Sequence, residues 1–394
     1  MTHMIIRPPH KTPHNLRTWI EIDRVALHHN VERFLQLIGP DVRLMAIIKS
    51  NAYGHGLVLT ARALAAHRDF SEKGWFGVDS MVEALRLRRE GIKNPILVLG
   101  MTIAGRIPEA AAHHIALTVS TRDALKTIIA TKPRPVFHIK IDTGMHRQGF
   151  LPPDIAPLLQ FLKKSGLKPE GIYTHFAMPE NRAFTLRQIR SFDQTTSAFV
   201  RAGFRDIVRH ASATRGVLRF PEARYDMVRV GIGLYGYEGN GEKKAGKGKR
   251  ADAHLKPVLT WKTIVGEIKE IPKGSYVGYD LTERVSRSTQ IAVLPVGYWH
   301  GYDRGLSSIG TVLLRGGRCR ILGRVSMDMT TIDITNINGT GKRDGGKGRG
   351  RDEIILIGRS GNDAIWADEI ARQIGTTAYE VLTRINPLIK RIEV

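Results

Sequence analysis

The stretch "MAIIKSNAYGHG" (45–56) ends an apolar run on Lys49 and follows it with polar residues, Tyr53, His55 and two glycines. A lysine amine made nucleophilic by partial burial and neighbouring cations can form a Schiff base with a carbonyl group; otherwise it is a surface lysine at a turn. A second stretch, "GIGLYG" (231–236), has the spacing of a dinucleotide fingerprint, yet it closes a strand-like run and leads into a polar segment rather than a helix. It therefore starts no βαβ unit. Glycines in such a place let backbone N–H groups approach a phosphate. Pyridoxal phosphate needs an attachment lysine, a phosphate cup and a partner for its ring nitrogen, and the sequence offers a candidate for each.

The elements that would hold these residues alternate along the chain. Strand-like runs "RLMAIIKS", "GWFGVDS", "PILVLG", "IALTVS", "PVFHIKID", "GIYTHF", "IVRHAS" and "MVRVGIGLYG" are separated mostly by amphipathic runs such as "MVEALRLRREGI" and "LRQIRSFDQTTSAFVRAG", apolar at helical spacing. The pattern predicts an α/β fold, a (β/α)8 TIM-like barrel over 19–237. Lys49, Asp79, Asp142, His175, Ser212 and the 231–236 glycines fall at C-terminal strand ends, the face on which barrel active sites are built. A basic insert or linker is expected at 238–252. From 253 to 394 strand-like runs separated by Gly, Pro and charged turns predict a mostly β C-terminal domain, with the N-terminal strand as a candidate addition and two short helices near the end.

At 394 residues, 42% hydrophobic and 25% charged, the chain suits two globular domains. The single cysteine, Cys319, excludes an internal disulfide and Cys-based zinc patterns, and no metal site is expected. The N-terminal residues lack the apolar core of a signal peptide, and no run approaches a membrane span, so a cytoplasmic protein is expected. The net charge is +23. Two glycine- and lysine-rich segments, 238–252 and 341–351, carry only part of it. No nucleic-acid-binding motif accompanies the charge and the basic runs lack interleaved aromatics, so solvated basic surface is the expected reading, without a nucleic-acid partner.

From about Thr18 to its end the chain resembles the alanine racemase family of fold-type III pyridoxal-phosphate enzymes. "IIKSNAYGHG" is similar to that family's attachment-lysine signature. "HIKIDTGMHRQGF", "YTHFA", "MVRVGIGLYG", "VGYD", "LPVGYWHGYDR", "GRVSMDM" and "TAYEVL" fit further blocks in the family's order. The resemblance implies that Lys49 carries the cofactor and serves as one acid/base. Tyr53, Ser212, Tyr379 and the N–H groups of Gly231 and Ile232 would form the phosphate cup, and Arg229 would face the pyridine nitrogen. The second acid/base would be Tyr279, contributed by the partner subunit and placed beside His175. Tyr276 is the alternative, because Asp280 stands where the family has a glycine. Arg147 would hold the substrate carboxylate with the Met327 backbone N–H, and Lys140 matches a position that some members carbamylate. Tyr298, Arg304 and Asp328 would line the entry and inner pocket.

What this implies is a two-base racemisation of L- and D-alanine by a homodimer with shared active sites, supplying D-alanine for peptidoglycan. A racemase of serine, lysine or broader specificity is the nearest alternative, since one methylene gives only about 1–3 kcal/mol of discrimination. A fold-type III decarboxylase would share the barrel and lysine, but would lose a carboxylate that Arg147 is suited to clamp. A cofactor-carrier barrel would lack the β domain.

Overall fold

The computed structural model describes residues 15–239, 254–337 and 352–394. The basic segment 341–351 and all but two residues of 238–252 lie outside them. Two compact units result: one from Asp23 to Val258, the other from the N-terminal strand together with Leu259 onward.

The N-terminal strand β1 (Thr18–Ile22) is followed by eight parallel strands: β2 (Arg43–Ile47), β3 (Trp75–Val78), β4 (Ile96–Val98), β5 (Ile115–Val119), β6 (Phe137–Lys140), β7 (Gly171–Tyr173), β8 (Val208–His210) and β9 (Met227–Val230). They hydrogen-bond in the order β9-β2-β3-β4-β5-β6-β7-β8. The remaining seam, between β8 and β9, is bridged where Ala213 pairs with Arg229 and the Arg229 N–H donates to the Ser212 carbonyl at 2.9 Å. The sheet is thus a nearly closed barrel. Its strands read as continuous apolar runs because both faces are covered. Met45, Ile47, Trp75, Leu97, Ala116 and Met227, from five strands, pack together in its interior.

The helices between these strands begin where the sequence supplies a side-chain cap. Asp23 accepts from Ala26 N–H before helix Arg24–Ile38, Ser80 from Glu83 before Met81–Arg89, Thr121 from Ala124 before Arg122–Ala130, and Asn181 from Phe184 before Arg182–Arg201. Each such acceptor satisfies a backbone donor that the first helical turn leaves open.

The second unit is mostly β. Its strands are β10 (Leu259–Ile264), β11 (Glu267–Ile271), β12 (Thr289–Leu294), β13 (Thr311–Leu314), β14 (Gly317–Arg320), β15 (Thr330–Asp333), β16 (Glu353–Ser360), β17 (Asp363–Ile365) and β18 (Lys390–Glu393). One sheet runs β14-β13-β16-β10-β1-β18, with β17 on β16; a smaller one runs β11-β12-β15. The short helices are Ala367–Gln373 and Ala378–Thr383. β1 sits between β10 and β18, antiparallel to the first and parallel to the second, so the chain's first strand is part of this sheet rather than of the barrel. Residues 254–258 group with the barrel unit. There the Asn30 side chain accepts from Lys256 N–H at 2.8 Å and donates to the Lys256 carbonyl at 2.8 Å, and Val258 N–H reaches the Tyr235 carbonyl.

The interior packing of the barrel yields a stability prediction. Leu97 is fully buried among residues of several strands, so Leu97→Ala should cost about 2–5 kcal/mol. A urea midpoint unchanged from the wild type would contradict this packing.

Candidate active site

Beyond β2 the backbone does something unusual for L-residues. Ser50, Asn51, Ala52 and Tyr53 all have positive φ, at 55°, 55°, 53° and 52°, one turn of left-handed helix. Each such residue costs roughly 1–2 kcal/mol, so the turn persists only because its surroundings hold it. Glu83 is the main clamp. One carboxylate oxygen accepts from Ser50 N–H at 2.7 Å and Asn51 N–H at 3.4 Å, while the other accepts from Asp79 N–H at 2.8 Å. Asn51 Oδ1 in turn caps the Leu57 N–H at 2.9 Å. Lys49, the residue before the turn, has its Nζ 3.4 Å from Asp79 Oδ1 and a side chain 37% exposed.

The turn also delivers Tyr53 to the end of β9. An atom at the Cβ position of Gly231 would sit 2.7 Å from the Tyr53 hydroxyl, so a side chain at 231 would fill this space. Gly231 and Ile232 open a short 3-10 turn, Ile232–Tyr235, and the first N–H groups of such a turn find no acceptor within it. Ser212, fully buried, follows β8 and donates its hydroxyl to the Ala223 carbonyl at 2.8 Å. Gly233 N–H reaches Thr214 Oγ1 at 3.2 Å, which ties the Ser212 segment to the glycine turn. Backbone donors, a serine and a tyrosine hydroxyl around a space kept open by glycine make a cradle for a phosphate.

Below this rim lies Arg229, buried on β9. Its Nη1 donates to His210 Nδ1 and to the His210 carbonyl, both at 3.0 Å. Its Nη2 donates to the carbonyls of Thr174 at 2.6 Å and Ala211 at 2.8 Å, and lies 3.3 Å from His175 Nδ1. Burial lowers the guanidinium pKa to about 10, which still leaves it charged at neutral pH. His175 is held well below the usual imidazole range, by burial first and then by Arg229, Lys140, Arg147 and Lys49. It is neutral, and because its Nδ1 faces an arginine donor, the ring proton belongs on Nε2.

Arg147 stands on a loop organised by Asp142. That carboxylate accepts from the N–H groups of Gly144, Met145 and His146 at 2.9–3.0 Å and from Arg147 N–H at 3.1 Å. Burial alone would raise the Asp142 pKa, but the backbone donors more than offset it. Lys140 is buried, with Nζ 4.2 Å from the centre of the Tyr173 ring. Burial, then Arg229 and Arg147, push its ammonium pKa well below the ordinary lysine value, which favours the neutral amine.

The remaining candidates belong to the β-rich unit. Tyr279 lies at the tip of a loop tied at its base by Val277 N–H to the Glu283 carbonyl and Val285 N–H to the Ser275 carbonyl. It is 67% exposed. Asp280 has φ 64°, a backbone that favours glycine and that aspartate tolerates, so the aspartate keeps the turn. Its carboxylate is 3.7 Å from Arg304 and 3.4 Å from Arg324. Tyr276 packs its ring on Arg284. Tyr298 N–H reaches the Ser326 carbonyl and Trp299 N–H that of Met327, which brings Tyr298, Met327 and Asp328 into adjoining loops. Tyr379 is half-buried in the first turn of helix Ala378–Thr383.

The structure adds residues that the sequence reading passed over: Glu83 under the left-handed turn, Tyr235 stacked on His55 at 4.2 Å, and Tyr173, His210 and His138 beneath Arg229. Tyr173 lies parallel to His210 at 4.6 Å and shares a hydrogen bond with Thr118 at 2.8 Å. The available signal was polarity inside apolar strands, as in "FHIK" and "VRH". Among the described residues no group of His, Cys, Asp or Glu could hold a metal ion, and no helix is long and apolar enough to cross a membrane.

Comparison with known proteins finds relatives over nearly the full length of the chain. Residues 22–239 match the alanine racemase N-terminal domain and residues 258–393 the alanine racemase C-terminal domain. Alanine racemase from Leptospira interrogans is 35% identical over 387 residues, covering 96% of each chain. That from Carboxydothermus hydrogenoformans is 36% identical, over 95% of this chain and 99% of its own. Among solved structures, alanine racemase from Bacillus anthracis with bound L-Ala-P superimposes with a TM-score of 0.83 at 30% identity, covering 97% of this chain and 96% of that one. With both domain models matched in order and relatives similar over nearly their full length, the chain belongs to the alanine racemase family, pyridoxal-phosphate-dependent isomerases.

Proposed function

We propose that the protein interconverts L- and D-alanine by a two-base mechanism, with pyridoxal phosphate as its cofactor and with active sites shared between the two chains of a homodimer. The observation that carries this reading is the joint presence of Lys49 beside its strained turn and the buried Arg229 cation at one end of a single barrel. The residues fit the cofactor. The Tyr53–Gly231 gap, the N–H groups of Gly231 and Ile232, and Ser212 would take its phosphate, with Tyr379 completing the cup. Lys49 would hold it covalently and Arg229 would face its ring nitrogen. When bound, it supplies an electron sink that acidifies the substrate Cα–H.

The chain's own groups do the rest. Arg229 donates hydrogen bonds and stays charged at neutral pH, so it would leave the ring nitrogen it faces unprotonated, which would disfavour side reactions such as transamination. Arg147 offers a planar fork for the substrate carboxylate, assisted by the Met327 N–H. Carbon dioxide added to Lys140 in its amine form, with loss of a proton, would give a carbamate whose negative charge would orient Arg147. The Lys49 amine serves one face of the substrate. Tyr279 of the other chain serves the opposite face, as inversion requires. His175 has only an Nε2–H to offer, so it can donate to the Tyr279 hydroxyl oxygen. Tyr298, Arg304 and Asp328 would bound the pocket. The D-alanine formed would serve peptidoglycan synthesis.

The purified enzyme should racemise alanine in preference to serine and lysine, and borohydride should fix the cofactor on the peptide holding Lys49. Equal rates across such a panel would replace alanine with a broad specificity, and a label on another lysine would remove Lys49 from the reading.

Tyr279→Phe should bind the cofactor yet lose roughly 10²–10⁴-fold in racemisation. In D2O it should still exchange the α-proton of D-alanine with retention, through Lys49, whereas the wild type labels both enantiomers. Near wild-type racemisation would move the base elsewhere, with Tyr276 next to test.

Mixing inactive Lys49→Ala and Tyr279→Phe chains should restore partial activity, because a hybrid dimer has one intact site. Hybrids that form and stay inactive would rule out sharing.

A further inference from the structure

His138 on β6 and His210 on β8 are both fully buried inside the barrel. Their hydrogen bonds can run in one direction only. Arg229 has donors and no acceptor, so His210 Nδ1, 3.0 Å from its Nη1, must present a lone pair. The proton of a neutral His210 is then on Nε2, which lies 2.9 Å from His138 Nδ1. His138 must therefore accept at Nδ1 and carry its own proton on Nε2, 3.1 Å from Glu170 Oε2. Glu170 precedes β7, at the N-terminal end of the strands, and its side chain is 40% exposed. Its backbone is pinned by its own N–H to the Phe137 carbonyl and by its carbonyl to Val208 N–H, both at 2.9 Å. Room for the chain is made by Gly171, where an added Cβ would lie 2.3 Å from His138 Nδ1.

We infer that Glu170 is a positioning residue for the reaction: from the end of the barrel opposite Lys49, it fixes the tautomers of His138 and His210 and so holds the Arg229 fork in place. Without an acceptor at position 170, His138 is free to carry its proton on Nδ1. His210 Nε2 then becomes the acceptor, His210 Nδ1 takes the proton, and a buried donor faces the Arg229 donor. The consequence for turnover rests on the reading that Arg229 faces the cofactor; the tautomer chain does not.

The test is made on holoenzyme labelled with ¹⁵N-histidine, where two- and three-bond ¹⁵N–¹H correlations show which ring nitrogen bears the proton. His138 and His210 are expected to be protonated at Nε2. In Glu170→Leu both should lose that uniform pattern, and kcat should fall roughly tenfold, as expected for a buried donor left unsatisfied, with little change in KM for alanine. Glu170→Gln keeps a neutral acceptor oxygen and should retain both the wild-type tautomers and most of kcat. His210 protonated at Nδ1 in the wild type would overturn the proposal, and this measurement decides the matter even if Glu170→Leu fails to fold. So would Glu170→Leu with unchanged tautomers and kcat, or Glu170→Gln behaving like Glu170→Leu. Altered tautomers with unaltered kcat would overturn the link to turnover. A protein that racemises nothing yet shows the expected tautomers would instead count against the proposed reaction alone.

Discussion

Burying the Arg229 guanidinium costs free energy that only a full set of acceptors can offset. The barrel supplies that set from its own backbone. The carbonyls of Thr174, His210 and Ala211 and the lone pair of His210 Nδ1 converge on one side chain, which the ends of β7, β8 and β9 allow by lying side by side. Once in place, the cation acts on its neighbours. Together with burial it keeps His175 and His210 neutral and lowers Lys140. Burial first, and this arginine second, thus shift several buried groups of the site toward their neutral forms.

The turn after Lys49 shows a different economy. Four consecutive L-residues in the left-handed region would not hold on local preference. Glu83, from the helix after the next strand, grips the turn by its N–H groups, and Tyr235 from the glycine turn stacks near Tyr53 and His55 while its hydroxyl donates to the Ile47 carbonyl at 3.1 Å. The strain is local, but the groups that sustain it follow the two strands that flank β2 in the sheet, β3 and β9. Such an arrangement sets the lysine and the tyrosine at the two ends of a single turn.

The β-rich unit holds its candidates in another manner. Tyr279, Tyr298 and Met327 are substantially exposed on loops stabilised by backbone hydrogen bonds and by the Asp280 ion pairs. Loops on a rigid sheet scaffold can present side chains to another chain without disturbing the core that carries them. Exposed aromatic and methionine side chains of this kind are also enriched at protein interfaces, which is consistent with the dimer proposed.

Much of this protein was legible in its residues. The alternation of apolar runs with amphipathic helices gave the barrel, because a strand covered on both faces and a helix covered on one leave distinct patterns. The placement of Lys49, Ser212 and the glycines followed, since strand ends can be counted. Hidden from the sequence were the features that depend on groups distant along the chain. Nothing in "KSNAY" announces a left-handed turn, because its cause, Glu83, lies about thirty residues away. Nothing in "FHIK" or "VRH" says that two histidines will meet at 2.9 Å or which nitrogen of each holds a proton. Nor does β1 declare its sheet, since pairing with β10 and β18 spans nearly the full chain. Local preference and periodicity are written residue by residue; the protonation of a buried group is decided by neighbours that only the closed fold brings within a hydrogen bond.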